Sequence, residues 1–265
     1  DMAPNHVFLN DGLGSFRQGE TFGEISSVRS LTLADIDGDG DVDILATSRG
    51  RQNQIYLNDG SARFGSGRPF GSSDDSTIDV AVADLNQDGH PDLVLANRDG
   101  QQNCVLINDG HTTFSRRIPF GTAGGQTRAI AVADLDADGT PDLVAGNIGQ
   151  PNNVYLGDGN GGVRAAVNFG RADGQTYALA VADMDNDGDL DLVAGNVAQE
   201  NSVFFNLGDG KSYRVLRFGD ESSATYGLAT GDLDGDGFED VAVANSGSRN
   251  RVFLNHPRRK QEVQE

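Results

Sequence analysis

The sequence predicts an all-β fold, a β-propeller of about five four-stranded blades. Three markers predict it, each returning about every 49 residues along a chain of 265. The first is the acidic run Asp35-Ile-Asp37-Gly-Asp39-Gly40-Asp41-Val-Asp43, which returns at residues 84–92, 134–142, 183–191 and 232–240. The second is Phe-Gly, at Phe22-Gly23, Phe70-Gly71, Phe120-Gly121, Phe169-Gly170 and Phe218-Gly219. The third is a short apolar run that closes on a turn. Its copies are Val7-Phe-Leu-Asn10, Ile55-Tyr-Leu-Asn58, Val105-Leu-Ile-Asn108, Val154-Tyr-Leu-Gly157, Val203-Phe-Phe-Asn206 and Val252-Phe-Leu-Asn255. Short strands repeated at this period, with no segment of helical periodicity, are the signature of propeller blades.

Each unit reads as four strands in order. Strand A is the alternating run before the acidic loop, as at residues 178–182, and its small Ala, Val and Gly residues suit the crowded innermost place. Strand B follows the loop, as at 190–194. Strand C is the Val-Phe-Leu run, whose larger residues suit the wider space between blades. Strand D ends at Phe-Gly. Asn-Asp-Gly between C and D signals a hairpin, because Asn, Asp and Gly tolerate positive φ.

The chain opens with a C and a D strand and closes with A, B and C. The expected units are residues 24–71, 72–121, 122–170, 171–219 and 220–255, the last completed by the D strand within 5–23. A charged tail, 256–265, follows. Closing the ring with the N-terminal D strand would remove exposed sheet edges. One C strand, residues 5–10, is left over, either as an extra edge or as a strand for another molecule.

Composition narrows the function. The 40 acidic residues outnumber the 20 basic ones, for a formal net charge of −20. This argues against a nucleic-acid partner, which requires a basic footprint. One cysteine, Cys104, cannot form a disulfide within the chain, and it reads as a small buried apolar residue. No apolar run approaches the ~20 residues of a membrane span, so no membrane insertion is expected. The chain opens on Asp1 rather than Met, as a processed or excised chain does.

The acid is gathered into loops of the form Asp-x-Asp/Asn-x-Asp-Gly-x-x-Asp. Positions 1, 3, 5 and 9 supply side-chain oxygens: Asp35, Asp37, Asp39 and Asp43; Asp84, Asn86, Asp88 and Asp92; Asp134, Asp136, Asp138 and Asp142; Asp183, Asp185, Asp187 and Asp191; Asp232, Asp234, Asp236 and Asp240. Position 7 is expected to offer its backbone carbonyl, which explains why it varies among Asp41, His90, Thr140, Asp189 and Phe238. Gly at position 6 permits the sharp turn. An all-oxygen set of six or seven ligands selects Ca²⁺ over Zn²⁺ and over strictly octahedral Mg²⁺. Asp and Gly are also ordinary turn residues, but five copies in register favour metal. Two carboxylates ~4 Å apart repel by roughly 4 kcal/mol at an effective dielectric of ~20, so such a loop calls for a cation. About five structural Ca²⁺ ions are expected, one per A–B loop, with loop 2 weakest because Asn86 removes a charge. They would bring the net charge to about −10.

These residues resemble FG-GAP/VCBS repeats, the repeats of integrin α-subunit propellers and of many secreted propellers, some lectins among them. The resemblance rests on Phe-Gly, the Asp-x-Asp-x-Asp-Gly-x-x-Asp loop and runs such as Leu-Val-Ala-Gly-Asn at 192–196, and covers roughly residues 5–255. It implies an extracellular, calcium-loaded module that binds ligands rather than transforming them. The chain departs from integrin heads in two ways: they have seven blades, and only some of those carry calcium loops.

The B–C loops are rich in Asn, Gln and Arg, including Arg49, Arg98 and Arg249. Six residues before each acidic loop, the positions Arg29, Ile78, Arg128, Tyr177 and Tyr226 vary within a fixed frame. Variation on a constant scaffold is what a binding surface looks like, so Arg29, Arg49, Arg98, Arg128, Tyr177, Tyr226 and Arg249 are the candidate contacts to a carbohydrate or protein ligand. The plainer account is that the Asn residues satisfy loop backbone and the others are solvated surface. His6, His90, His111 and His256 share no spacing, and no nucleophile elbow or phosphate loop occurs, so no enzyme is expected. Self-assembly through residues 5–10 into an extracellular polymer is the alternative role; a polysaccharide lyase or hydrolase is a weaker one.

Overall fold

The computed structural model describes residues 3–256, which form strands and, among the described residues, no helix. The tail beyond His256 lies outside the described residues. The chain divides into two compact units, residues 1–132 with 157–164 and residues 133–156 with 165–265.

The first unit opens with the hairpin β1 (Ala3–Asn10) and β2 (Phe16–Ser26). Then come β3 (Val28–Ala34), β4 (Asp43–Ser48), β5 (Asn53–Tyr56) and β6 (Arg68–Phe70), paired in sequence order, and the like sheet of β7 (Thr77–Ala83), β8 (Asp92–Asn97), β9 (Asn103–Ile107) and β10 (Arg116–Phe120). The middle blade follows the same order along the chain, as β11 (Thr127–Ala133), β12 (Asp142–Asn147), β13 (Asn152–Gly157) and β14 (Val163–Phe169). The second unit contains the sheet of β15 (Thr176–Ala182), β16 (Asp191–Asn196), β17 (Asn201–Asn206) and β18 (Tyr213–Phe218). Its last sheet is three-stranded: β19 (Thr225–Gly231), β20 (Asp240–Asn245) and β21 (Arg251–Phe253). These up-and-down antiparallel blades make the chain a β-propeller, as its period predicts.

Burial explains the strand sequences. Strand B lies between A and C and has a neighbouring blade on each side, so β8 and β16 are buried at every residue and read as continuous apolar runs. The core lies between blades. Ile36, Leu45 and Ile55 on the trailing face of the first blade meet Leu93, Leu95 and Leu106 on the leading face of the second. Met184, Val193 and Val203 meet Val241 and Val243 in the same way. Each such side chain contributes roughly 1.5–3 kcal/mol on burial. The Phe-Gly marker closes strand D. Phe70, Phe120 and Phe169 are buried, and the glycine after each has φ of 66–77°, where a side chain is strained.

A polar relay links successive blades. Asn53 donates to Thr77 Oγ1 at 3.1 Å, and Thr77 donates to Asn97 Oδ1 at 3.0 Å. Asn103 donates to Thr127 at 2.9 Å. The second unit repeats it through Asn152, Thr176 and Asn196, and again through Asn201, Thr225 and Asn245. The first blade has Val28 and Ser48 at the Thr and Asn places.

One expectation changes. Residues 15–22 were expected to complete the last blade; instead β2 pairs with β1 from Asn5↔Phe22 to Asn10↔Phe16, and the last sheet has three strands. A hairpin closed over a few residues costs far less loop entropy than pairing strands some 200 residues apart. The same pairing gives residues 5–10 a partner within the chain. The C–D hairpins do form, as where β17 pairs with β18, with connections longer than a two-residue turn. In the first blade the Asn58 side chain accepts the N–H groups of Gly60 and Ala62 at 3.2 and 3.0 Å, and strand D begins only at Arg68.

Two outcomes test this packing. Thr176→Val strands the Asn152 amide and the Asn196 carbonyl oxygen, and should cost roughly 1–3 kcal/mol, read from the urea midpoint. Cys104 is 1% exposed, and burial pushes its thiol up to about 12. A thiol reagent near neutral pH should therefore label it only when the chain unfolds.

Candidate metal centre

Every A–B loop folds on its own carboxylates. The position-1 Asp accepts the N–H of the position-6 Gly at 2.8–3.0 Å in all five loops. The position-5 Asp accepts the N–H of position 7 at 2.8–3.0 Å, from Asp41, His90, Thr140, Asp189 and Phe238 in turn. Position 6 has φ of 84–96° in each loop and is always Gly, while position 4 is also left-handed, at Gln87, Ala137 and Asn186 as well as at two glycines.

The position-9 Asp begins strand B and is fully buried in Asp43, Asp92, Asp142, Asp191 and Asp240. One of its oxygens accepts the N–H of position 2 at 2.9–3.0 Å. The other accepts the N–H of the Asn that ends strand C at 2.7–2.8 Å: Asn58, Asn108, Asn206 and Asn255. That Asn then reaches the preceding loop. Asn108 donates to the Ile36 carbonyl at 3.2 Å, Asn206 to Leu135 at 2.7 Å and Asn255 to Met184 at 2.6 Å.

Position 3 differs. Asp37 Oδ1 is buried with no hydrogen-bond partner. Carboxylate oxygens gather within 4.8 Å of one another in Asp35, Asp37 and Asp39, in Asp134, Asp136 and Asp142, in Asp183, Asp185 and Asp191, and in Asp232, Asp234 and Asp240. Among the described residues, loop 2 forms no such acidic triplet; Asn86 donates to Asp88 at 2.8 Å. Burial pushes the carboxyls of Asp43, Asp92 and Asp185 up, and that of Asp191 up to about 6, because like charges converge where water is scarce. Two basic side chains face the later loops. Arg214, stacked on Phe205, meets Asp185 at 3.0 Å, and His256 meets Asp236 at 3.1 Å. The oxygen-only donors, their spacing and the unsatisfied Asp37 oxygen fit a hard divalent cation.

The candidate ligand contacts gather less well. Tyr177 and Tyr226 meet edge to face at 4.9 Å. Arg49 forks onto Asp99, whose carboxyl it holds down to about 2. Arg98 and Arg128 are half-buried, and Arg29 and Arg249 are exposed. The B–C loop Asn residues are largely spent on backbone and on the relay. Beside Gln199, Glu200, Arg171, Asp173 and Arg217 lies a groove of about 870 Å³. Sequence reasoning missed Asp79, next to the variable Ile78, which accepts the N–H of Ile130 at 3.2 Å. It also missed Asp75, 5% exposed and held by both terminal nitrogens of Arg117 at 2.8 and 2.9 Å. Only their departure from the repeat marks them in the sequence.

The FG-GAP-like repeat profile matches five overlapping stretches, residues 1–46, 35–95, 84–145, 136–194 and 183–243. The chain belongs to the FG-GAP repeat family. An FG-GAP propeller of this kind is a ligand-binding or structural module. No curated protein sequence matches the chain. Among solved structures, it resembles BBS1N in a complex with ARL6DN, at 15% identity and a TM-score of 0.61, over 97% of this chain and 74% of that one. It also resembles the V. cholerae biofilm matrix protein Bap1, at 18% identity and a TM-score of 0.50, over 91% of this chain and 34% of Bap1. Identities this low show a shared fold. No helix among the described residues is long and apolar enough to cross a membrane.

Asp79 yields a pH test. Burial is the leading cause that raises its carboxyl. A carboxyl raised on folding contributes stability that is present below its ordinary value and is lost as pH rises through the raised one. Asp79→Asn gives up one of the two backbone N–H groups the carboxylate accepts, so its melting temperature should fall below the parent's by less near about pH 8 than near about pH 4, as followed by circular dichroism.

Proposed function

We propose that this FG-GAP propeller binds Ca²⁺ in its A–B loops and works outside the cell as a calcium-dependent binding module for a protein or carbohydrate. The observation that carries the calcium reading is the convergence of three carboxylate oxygens within 4.8 Å in four loops, with a buried Asp37 oxygen that nothing satisfies. Positions 1, 3 and 5 would hold the ion with the position-7 carbonyl, and position 9 would join them while keeping its two backbone bonds. The ion would supply charge neutralisation and rigidity. Extracellular calcium modules hold the ion in the weaker range of affinity, matched to the calcium level outside cells, and the reading places these loops in that class.

A site held at a hundredfold excess over its Kd gains about 2.7 kcal/mol, and each kcal/mol moves the Tm of a chain this size by about 2–4 °C. Chelation should therefore lower the melting temperature by at least about 5 °C; an unchanged curve in EDTA refutes the reading. Two variants separate metal from scaffold. Asp37→Asn should leave the calcium-free chain as stable as before and reduce the calcium-induced rise. Asp92→Asn should destabilise it with or without calcium, because an amide cannot accept both backbone N–H groups.

The ligand reading rests on the groove beside Gln199 and Glu200. Its mixed Arg, Asp, Glu and Gln rim suits a polar protein segment. The carbohydrate version rests on the Tyr177–Tyr226 pair, since aromatic faces stack on sugar rings. A glycan array and a protein-binding screen, both run in calcium, separate the two. Tyr177→Ala should abolish glycan binding in the carbohydrate version and leave protein binding intact in the other. No turnover is expected in a polysaccharide degradation screen.

A further inference from the structure

We propose that the groove beside Gln199 and Glu200, on which the protein-ligand reading above rests, takes a cationic side chain, an arginine, from that protein. Every residue that lines the groove, from Asn152 to Glu221, belongs to the second compact unit. The first observation is that the second blade holds the same cleft sealed. There Arg117 reaches from β10 to Asp75 and spends both terminal nitrogens on its carboxylate, at 2.8 and 2.9 Å. Cys104, 1% exposed, lies beside the pair.

Strand register gives the equivalent places in the fourth blade. Leu106↔Arg117 and Cys104↔Pro119 in the second blade match Phe204↔Val215 and Ser202↔Arg217 in the fourth. Val215 therefore stands in the place of Arg117, and Ser202 in that of Cys104. Counted from Phe-Gly, Gly174 stands in the place of Asp75. The loop backbones agree, since Gly50 donates its N–H to the Asp75 carbonyl and Gly149 donates its own to that of Gly174. With both halves of the ion pair replaced, the groove of about 870 Å³ stays open, a size within the range of roughly 300–1,000 Å³ usual for ligand sites.

The second observation is what the open groove offers. Ser202 lines it at 7% exposed, and its hydroxyl makes no hydrogen bond among the described residues. A hydroxyl that deep is normally satisfied. At the place of Glu200 the first two blades carry Gln52 and Gln102, whose amides donate to the carbonyls of Phe70 at 2.7 Å and Gly121 at 2.9 Å. A carboxylate cannot donate, and that of Glu200 makes no hydrogen bond or ion pair among the described residues. Arg171 and Asp173 neutralise each other at 2.9 and 3.0 Å, which leaves Glu200 and Glu221 against Arg217 on the rim. A free hydroxyl acceptor at the floor and surplus carboxylate at the rim match the donor-only guanidinium. The chain's net charge of −20 draws a cation toward it. The second blade fills this seat with the chain's own arginine; the fourth leaves it for a partner's.

The test tethers small tails at the mouth of the groove, in the whole chain with calcium. Val215 is 49% exposed. Val215→Cys is equilibrated under mild reduction with a mixture of disulfides that end in a guanidinium, an amide or a carboxylate, and mass spectrometry reads which tail is retained. Tethering raises the local concentration, so a weak contact registers. Cys104 is buried and stays silent. Leu13→Cys, at a site 89% exposed, reads the effect of overall charge by itself. The preference for guanidinium over carboxylate should be at least about tenfold greater at Val215→Cys than at Leu13→Cys. It should fall to the Leu13→Cys level when Glu200→Gln and Ser202→Ala are added, and that variant should melt as the parent does. An equal preference at the two sites, or one that survives both substitutions, overturns the proposal. Retention of the amide or carboxylate tail at Val215→Cys overturns the cation and keeps the groove as a ligand site. No selection among the tails overturns both.

Discussion

The buried aspartate at the head of strand B organises the rest of the structure. Its two oxygens accept two main-chain N–H groups, one from the start of its own loop and one from the end of strand C. A buried carboxylate without such partners would be costly; with them it ties strands A, B and C together at one point. The hydrogen bonds stabilise the charged form while burial opposes it, and burial wins, so the carboxyls of Asp43, Asp92 and Asp191 lie high. That residual cost is what a nearby cation would offset.

From that point order spreads in two directions. On the loop side, the Asn that donates its N–H to the aspartate sends its side chain to the loop of the preceding blade. On the opposite side, the Asn–Thr–Asn relay makes the corresponding link. The apolar contacts between them supply the burial and, through the alternation of each strand, the register. The polar links add directional contacts that join particular strand ends.

Much of this was legible in the sequence. The acidic loops, the strand order and Phe-Gly each have a local cause: turn chemistry, alternation, or a positive φ that favours Gly. The roles of the Asn residues were not legible, because Asn58 and Asn103 look alike on the page yet serve a turn and a relay. Arg49 read as a ligand contact and is spent on Asp99, fifty residues away. Such pairings depend on which side chains the blades bring together, and no local pattern encodes them.

The sequence by itself determined the repeat, the blade and the oxygen-rich loops, because each follows from neighbours within a few residues. Only the tertiary structure decided the partner of β2. Two nearly identical C strands, at 5–10 and 250–255, compete for it, and residue identities cannot rank them. The ranking comes from chain entropy, which favours the near strand, and from the packing of Val7 and Phe22 on Ile44, Ala46 and Tyr56.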